Sequence, residues 1–255
     1  MFFTKVGVFM KEKARAFTKF LAHCLCPTRC ACCGKVIYYD QTICEACETE
    51  IEKLKNTLCD HCHEPLHRCT CPHNKATTIP CATPFPYTSV IQTGILAMKG
   101  SGSLHGVSFF AKAMAEEIRQ THSHSFDAIV YVPVTKAKKN LRGYNQCEVL
   151  AKALGKELNL PVLDRGLERL FDTVDLHKAG SINRKGCVFG VFEPNEALVA
   201  DKTLLLIDDV ITTGATMSEC AKMLYLANAQ EVYGAAIACT HLTFLGNQKN
   251  NKKCR

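Results

Sequence analysis

The sequence predicts an α/β protein, a doubly wound parallel sheet preceded by a small Cys-rich domain. Two observations predict it. From about residue 85 onward, short apolar runs alternate with stretches of helical periodicity, the order that parallel crossover connections produce. Before that point, 12 of the 17 cysteines fall between Cys24 and Cys81. At 255 residues the chain is long enough for one α/β domain of ordinary size and a small appendage.

The elements follow in order. Residues 1–23 are basic and apolar, and 2–22 read as an amphipathic helix with Phe2, Val6, Phe9, Phe17 and Leu21 on one face. Lys5, Lys11, Lys13, Arg15 and Lys19 interrupt any export signal. Such a helix either packs on its own protein or lies on a membrane surface. Residues 24–82 form the Cys-rich domain, and Pro80, Pro84 and Pro86 mark a stiff extended junction. The sheet domain spans 85–245. Within it, 103–121, 144–158 and 215–227 read as helices, and 127–133, 187–192, 203–207 and 231–238 as strands. A polar, basic tail covers 246–255.

No apolar run reaches the roughly 20 residues of a membrane span. The net charge of +7 and pI of about 8.6 suit an anionic partner without choosing among phosphate ligand, nucleic acid and acidic lipid.

The chemistry concentrates at 204–216. An apolar strand leads into two acids, Asp208 and Asp209, and then into Thr212-Thr213-Gly214-Ala215-Thr216 at the start of a helix. In open parallel sheets the ligand lies beyond the carboxyl ends of the strands. Carboxylates there can accept hydrogen bonds from two sugar hydroxyls. Gly214 permits a tight turn, and the helix N-terminus with its threonine hydroxyls can hold a phosphate. Threonines that merely cap the helix would explain the loop alone, but not the loop and the acid pair together.

This segment resembles the phosphoribosyl pyrophosphate (PRPP) motif of type I phosphoribosyltransferases. The resemblance implies that Asp208 and Asp209 hold the ribose and that Thr212, Thr213, Gly214, Ala215 and Thr216 hold the 5-phosphate. A second match narrows the group. Tyr131-Val132-Pro133-Val134-Thr135 followed by Leu141-Arg142-Gly143-Tyr144-Asn145-Gln146 is similar to the ComF competence proteins. By that likeness Val134, Thr135 and Lys136 fall on the diphosphate loop, and Lys136, Lys138, Lys139 and Arg142 add positive charge suited to it. Tyr87, Lys99, Arg169, Thr173 and Arg184 share the group's spacing. Gln92, Leu176 and Cys187 depart from its usual Arg, Gln and Asn.

Four cysteine pairs stand out: Cys30/Cys33, Cys44/Cys47, Cys59/Cys62 and Cys69/Cys71. Two Cys-x-x-Cys pairs can complete a tetrahedral thiolate site, so the expectation is structural Zn²⁺. Pairing in sequence gives one site on Cys30, Cys33, Cys44 and Cys47 and another on Cys59, Cys62, Cys69 and Cys71; a cross-brace would divide the same eight differently. The ComF group likewise has an N-terminal double zinc ribbon.

Two functions follow. One is a protein that binds PRPP, with Mg²⁺, or a related ribose 5-phosphate ligand, and serves DNA uptake by binding single-stranded DNA alongside the uptake machinery. The other is a phosphoribosyltransferase with an unknown acceptor. Phe85, Tyr87 and Tyr144 are the stacking candidates for DNA. No catalytic residue is assigned. The expected location is the cytoplasm, or the inner face of the membrane as a peripheral protein.

Overall fold

The structure is a computed structural model that describes residue 25 and residues 27–57, 79–100, 104–122, 125–170 and 191–240. The helix read over 2–22, the cysteines Cys59, Cys62, Cys69 and Cys71, and the tail 246–255 lie outside the described residues.

The centre is a parallel sheet. Its long strands are β6 (Thr203–Ile211) and β7 (Glu231–Cys239), with β3 (Ala128–Tyr131) on the far side of β6. The near edge of β7 is lined by two short strands, β1 (Cys81–Ala82) and β2 (Phe85–Pro86). The proline junction therefore supplies an interrupted edge strand, a place where a residue without an N–H is tolerated.

Leu204, Leu205, Leu206 and Ile207 are each 0% exposed, which is why this strand reads as one apolar run instead of an alternating one. Side chains still alternate between the two faces. Ile129, Tyr131, Leu205, Ile207, Ala235 and Ile237 face a layer of α2 (Ser89–Gly100), α3 (Val107–Thr121) and α5 (Gln146–Leu158). Ala128, Val130, Leu204, Leu206, Val232 and Ala236 face α7 (Ala215–Leu226), α6 (Glu196–Val199) and the hairpin of β4 (Leu167–Arg169) with β5 (Phe192–Pro194). Helices on both faces of a parallel sheet are the doubly wound arrangement expected from the sequence.

Three details differ from that expectation. The strand predicted to stop before the acid pair runs on through it to Ile211, paired with β7 throughout. Residues 136–142, where no helix was expected, form a short helix α4 (Lys136–Arg142). It starts where the Thr135 hydroxyl accepts from the Lys138 N–H, and ends where Gly143 adopts φ 79°. The strand expected over 187–192 is described only from Phe192, as an antiparallel partner of β4 off the main sheet.

The Cys-rich segment begins with a tight hairpin, bridged at Arg29 and Val36, and continues into α1 (Glu45–Thr57). It packs against α2 at Gly94, where an added Cβ would stand 2.6 Å from the Ala31 carbonyl oxygen and 2.8 Å from Phe110 Cζ. Only a residue without a side chain lets backbone and ring come so close. Gly94→Val should therefore lower stability by about 1–3 kcal/mol, the usual range for an overpacked core. A chemical denaturation midpoint unchanged from the parent would refute this packing.

Candidate functional site

The site grows from a mismatch in strand length. β3 stops at Tyr131, opposite Ile207, while β6 continues for four more residues. Asp208 and Asp209 thus stand beyond the end of their neighbour. The chain after β3 turns to α4 and α5 on one face, and the chain after β6 turns over Gly214 to α7 on the other. Adjacent parallel strands whose helices leave toward opposite faces open a crevice at their carboxyl ends.

Asp209 is 6% exposed and has a partner on each carboxylate oxygen. Its Oδ1 meets Lys99 Nζ at 2.8 Å, and its Oδ2 accepts from Gln146 Nε2 at 2.7 Å. Gln146 Oε1 accepts in turn from Arg142 at 2.9 Å. Asp208 Oδ1 accepts from the Asp209 N–H at 2.8 Å and lies 3.6 Å from the Cys147 sulfur. Desolvation first, and the Asp209 carboxylate second, push Asp208 up to about 7. Burial, then the same two carboxylates, raise the Cys147 thiol well above its ordinary value. At neutral pH Cys147 is therefore a protonated donor toward Asp208. Cys147, Asp208 and Asp209 lie close enough to share an ion, but a protonated thiol and a carboxylate already neutralised by Lys99 make a poor donor set for one.

The Arg-Gly-Tyr-Asn-Gln segment acquires a residue-by-residue meaning. Arg142 anchors Gln146, and Gly143 ends α4. The Tyr144 hydroxyl donates to the Met98 carbonyl, pinning the end of α2. The Asn145 side chain caps α5 at the Cys147 N–H and donates to the Val132 carbonyl at 3.2 Å. Gln146 then orients Asp209. The sequence marked Lys99 and Gln146 only through the family's spacing; they converge on Asp209 from 110 and 63 positions away in the chain and left no local signal.

The loop after β6 is open. Gly214 is buried with φ 72° and begins α7 without a side-chain cap. Thr212, Thr213, Ala215 and Thr216 are exposed. Thr213 Oγ1 lies 3.4 Å from the Ala215 N–H, and the Thr212 carbonyl accepts from Thr240 Oγ1 at 3.4 Å. The first-turn amides of a helix carry partial positive charge. Across the crevice, Val134 is half-buried, Thr135 is 3% exposed with its hydroxyl used as a cap, and Lys136 and Lys138 are exposed.

A second centre lies in the Cys-rich hairpin. The sulfurs of Cys30, Cys33, Cys44 and Cys47 all lie within 4.8 Å of one another, the first of the two sequential pairings. Cys33 and Cys44 are 3.7 Å apart, against the ~3.8 Å edge of a tetrahedron built on bonds of about 2.3 Å. Gly34 turns the hairpin with φ 73°, and the Cys44 N–H points at Cys30 Sγ from 3.3 Å. Although desolvation opposes it, backbone hydrogen bonds from Cys33, Cys44 and Cys32 bring Cys30 down to about 7. Burial, then its thiol neighbours, drive Cys32 up to about 12, a thiol outside the donor set. Four cysteines in this geometry can hold a metal ion.

The sheet, the crevice and the cysteine centre can now be set beside known proteins. No family model matches the chain. It is 25% identical over 201 residues to competence protein ComFC of Streptococcus pneumoniae, covering 76% of this chain and 86% of that protein. The DNA utilization protein YhgH of Escherichia coli is 26% identical over 210 residues, 80% of this chain and 86% of the relative. Competence protein F of Haemophilus influenzae is 28% identical over 123 residues, 46% and 52% of the two chains.

The chain is a relative of the ComF competence proteins.

Solved structures with loose likeness include an adenine phosphoribosyltransferase (TM-score 0.37, 15% identity, covering 62% of this chain and 81% of that one). A glutamine PRPP amidotransferase of B. subtilis has TM-score 0.34 and 18% identity, with 52% of this chain and 27% of that one covered.

Two measurements check the two centres. Cys44→Ser should lower the bound metal by one ion per chain, read by elemental analysis of the purified protein; unaltered metal content would remove the four-cysteine centre. For Asp208, the native value near 7 lies above the ordinary value near 3.9. Between those limits the folded chain holds a proton the unfolded chain has released. Stability should therefore fall as pH rises from about 4 to 7 and level off above. Asp208→Asn should flatten that slope in denaturation midpoints taken between pH 5 and 8, and a variant with the parent's slope would contradict the assignment.

Proposed function

We propose that the crevice between β3 and β6 binds PRPP or a related ribose 5-phosphate ligand, and that the protein acts in DNA uptake or utilisation by holding single-stranded DNA. One observation carries the ligand reading: the two carboxylates overrun β3 and are followed at once by the open helix start at Gly214. In this reading Asp208 and Asp209 receive the ribose hydroxyls. Thr212, Thr213, Gly214, Ala215 and Thr216 surround the 5-phosphate with amides and hydroxyls. Val134, Thr135, Lys136 and Arg142 face the diphosphate, with Mg²⁺ carried in by the ligand. The four-cysteine centre takes Zn²⁺ in a structural role, since four protein donors leave no place for substrate.

The DNA role is supported by the relatives' names as competence and DNA utilization proteins and by the exposed Lys136 and Lys138 beside the crevice. Stacking by Phe85 is not part of it, because Phe85 is buried against Phe109 and Phe110. Tyr144, half-buried with its hydroxyl on the Met98 carbonyl, and the half-buried Tyr87 keep the stacking role in this reading. The same carboxylate pair favours a second reading, a phosphoribosyltransferase with an acceptor still to be found. No described helix is long and apolar enough to cross a membrane.

Calorimetric titration with PRPP and Mg²⁺ tests the ligand reading. Binding should be abolished by Asp208→Asn combined with Asp209→Asn, and a variant that binds like the parent would refute it. For single-stranded DNA, affinity should fall with salt. Replacing Lys136 and Lys138 with Ala should reduce the log–log slope by about 1.4, on the basis of ~0.7 for each phosphate contact. A flat salt response would count against DNA binding, and steady PRPP consumption with any acceptor would establish the enzyme.

A further inference from the structure

A ribose ligand in the crevice must compete for Asp209 with two residues that already hold it. The carboxylate that should receive a sugar hydroxyl is already occupied on both oxygens, by Lys99 at 2.8 Å and Gln146 at 2.7 Å. Gln146 is itself fixed by Arg142, and it is a neutral amide built into the start of α5. Lys99 is different. It sits on the last turn of α2, its side chain is 26% exposed, and it carries a full charge that can change partners. The Tyr144 hydroxyl holds the adjoining Met98 carbonyl, so the helix end stays over the crevice while the four-carbon lysine stem remains free to swing.

Resting on the ribose 5-phosphate reading above, we propose that Lys99 is a latch that makes ribose binding conditional on a second anionic group at the sugar's other end. A ligand with only a 5-phosphate places that group at the start of α7 and offers Lys99 nothing. The ammonium then stays on Asp209, and the hydroxyls meet an occupied carboxylate. A 1-diphosphate offers the ammonium several charged oxygens in place of the single Asp209 oxygen it meets at rest, and draws Lys99 away. Asp209 Oδ1 is released for a hydroxyl, while Gln146 keeps the carboxylate in its plane. Lys99 thereby discriminates PRPP from ribose 5-phosphate and from nucleoside monophosphates. It is a specificity residue that contacts the ligand only in the released state.

The test compares two probes, PRPP and ribose 5-phosphate, each with Mg²⁺, by calorimetry on the full chain and on Lys99→Met. The parent should bind PRPP more tightly. In Lys99→Met the affinity for PRPP should fall about tenfold to a hundredfold, the size of one charged hydrogen bond, while that for ribose 5-phosphate should rise by up to about tenfold, because Asp209 Oδ1 no longer holds the ammonium. The ratio between the two ligands thus collapses. If both affinities fall together, Lys99 merely supports the fold and the latch is overturned; a ratio equal to the parent's overturns it as well. Should Lys99→Met fail to fold by circular dichroism, Lys99→Gln keeps a donor for Asp209 without the charge and is expected to give the same collapse. A parent protein that binds neither probe would overturn the ribose 5-phosphate reading itself, a result distinct from loss of the latch.

Discussion

Two adjacent carboxylates at the buried end of an apolar strand repel one another and lose hydration, and the crevice exists only because that repulsion is contained. Lys99 and Gln146 neutralise and orient Asp209, while Cys147 and a backbone amide attend Asp208. The containment is unequal. Asp209 has a cation and an amide on its oxygens, whereas burial first and the neighbouring carboxylate second push Asp208 up to about 7. Such pairs are retained at sites that bind ligands more readily than at sites that only build a core, because removing both charges would stabilise the fold.

Everything around the pair serves to hold it open. The length mismatch between β3 and β6 removes the strand that would have covered it. The Arg142–Gln146 segment spends nearly every polar atom on local geometry: a helix stop, a pin on α2, a helix cap and a carboxylate clamp. These are positioning tasks, and each residue of the short polar run has one. The Cys-rich hairpin contributes from a distance, since it packs on α2 through Gly94, and α2 carries Lys99. A metal ion held by the hairpin would thus also steady the helix that carries Lys99.

The sequence by itself determined the layers and the location of the candidate site. Unbroken apolar runs specify strands buried on both faces, period-3.6 stretches specify the covering helices, and Gly214 after paired acids marks the turn. Cysteine spacing likewise identified one complete ligand set, Cys30, Cys33, Cys44 and Cys47. All of these are local patterns, fixed by backbone geometry within a few residues. The tertiary structure alone decided how far β6 outruns β3, that 136–142 is a helix, that Phe85 belongs to the core, and that Lys99 and Gln146 converge on Asp209. Those outcomes depend on contacts between residues tens of positions apart, where register and packing choose the partner and no short pattern in the chain records the choice.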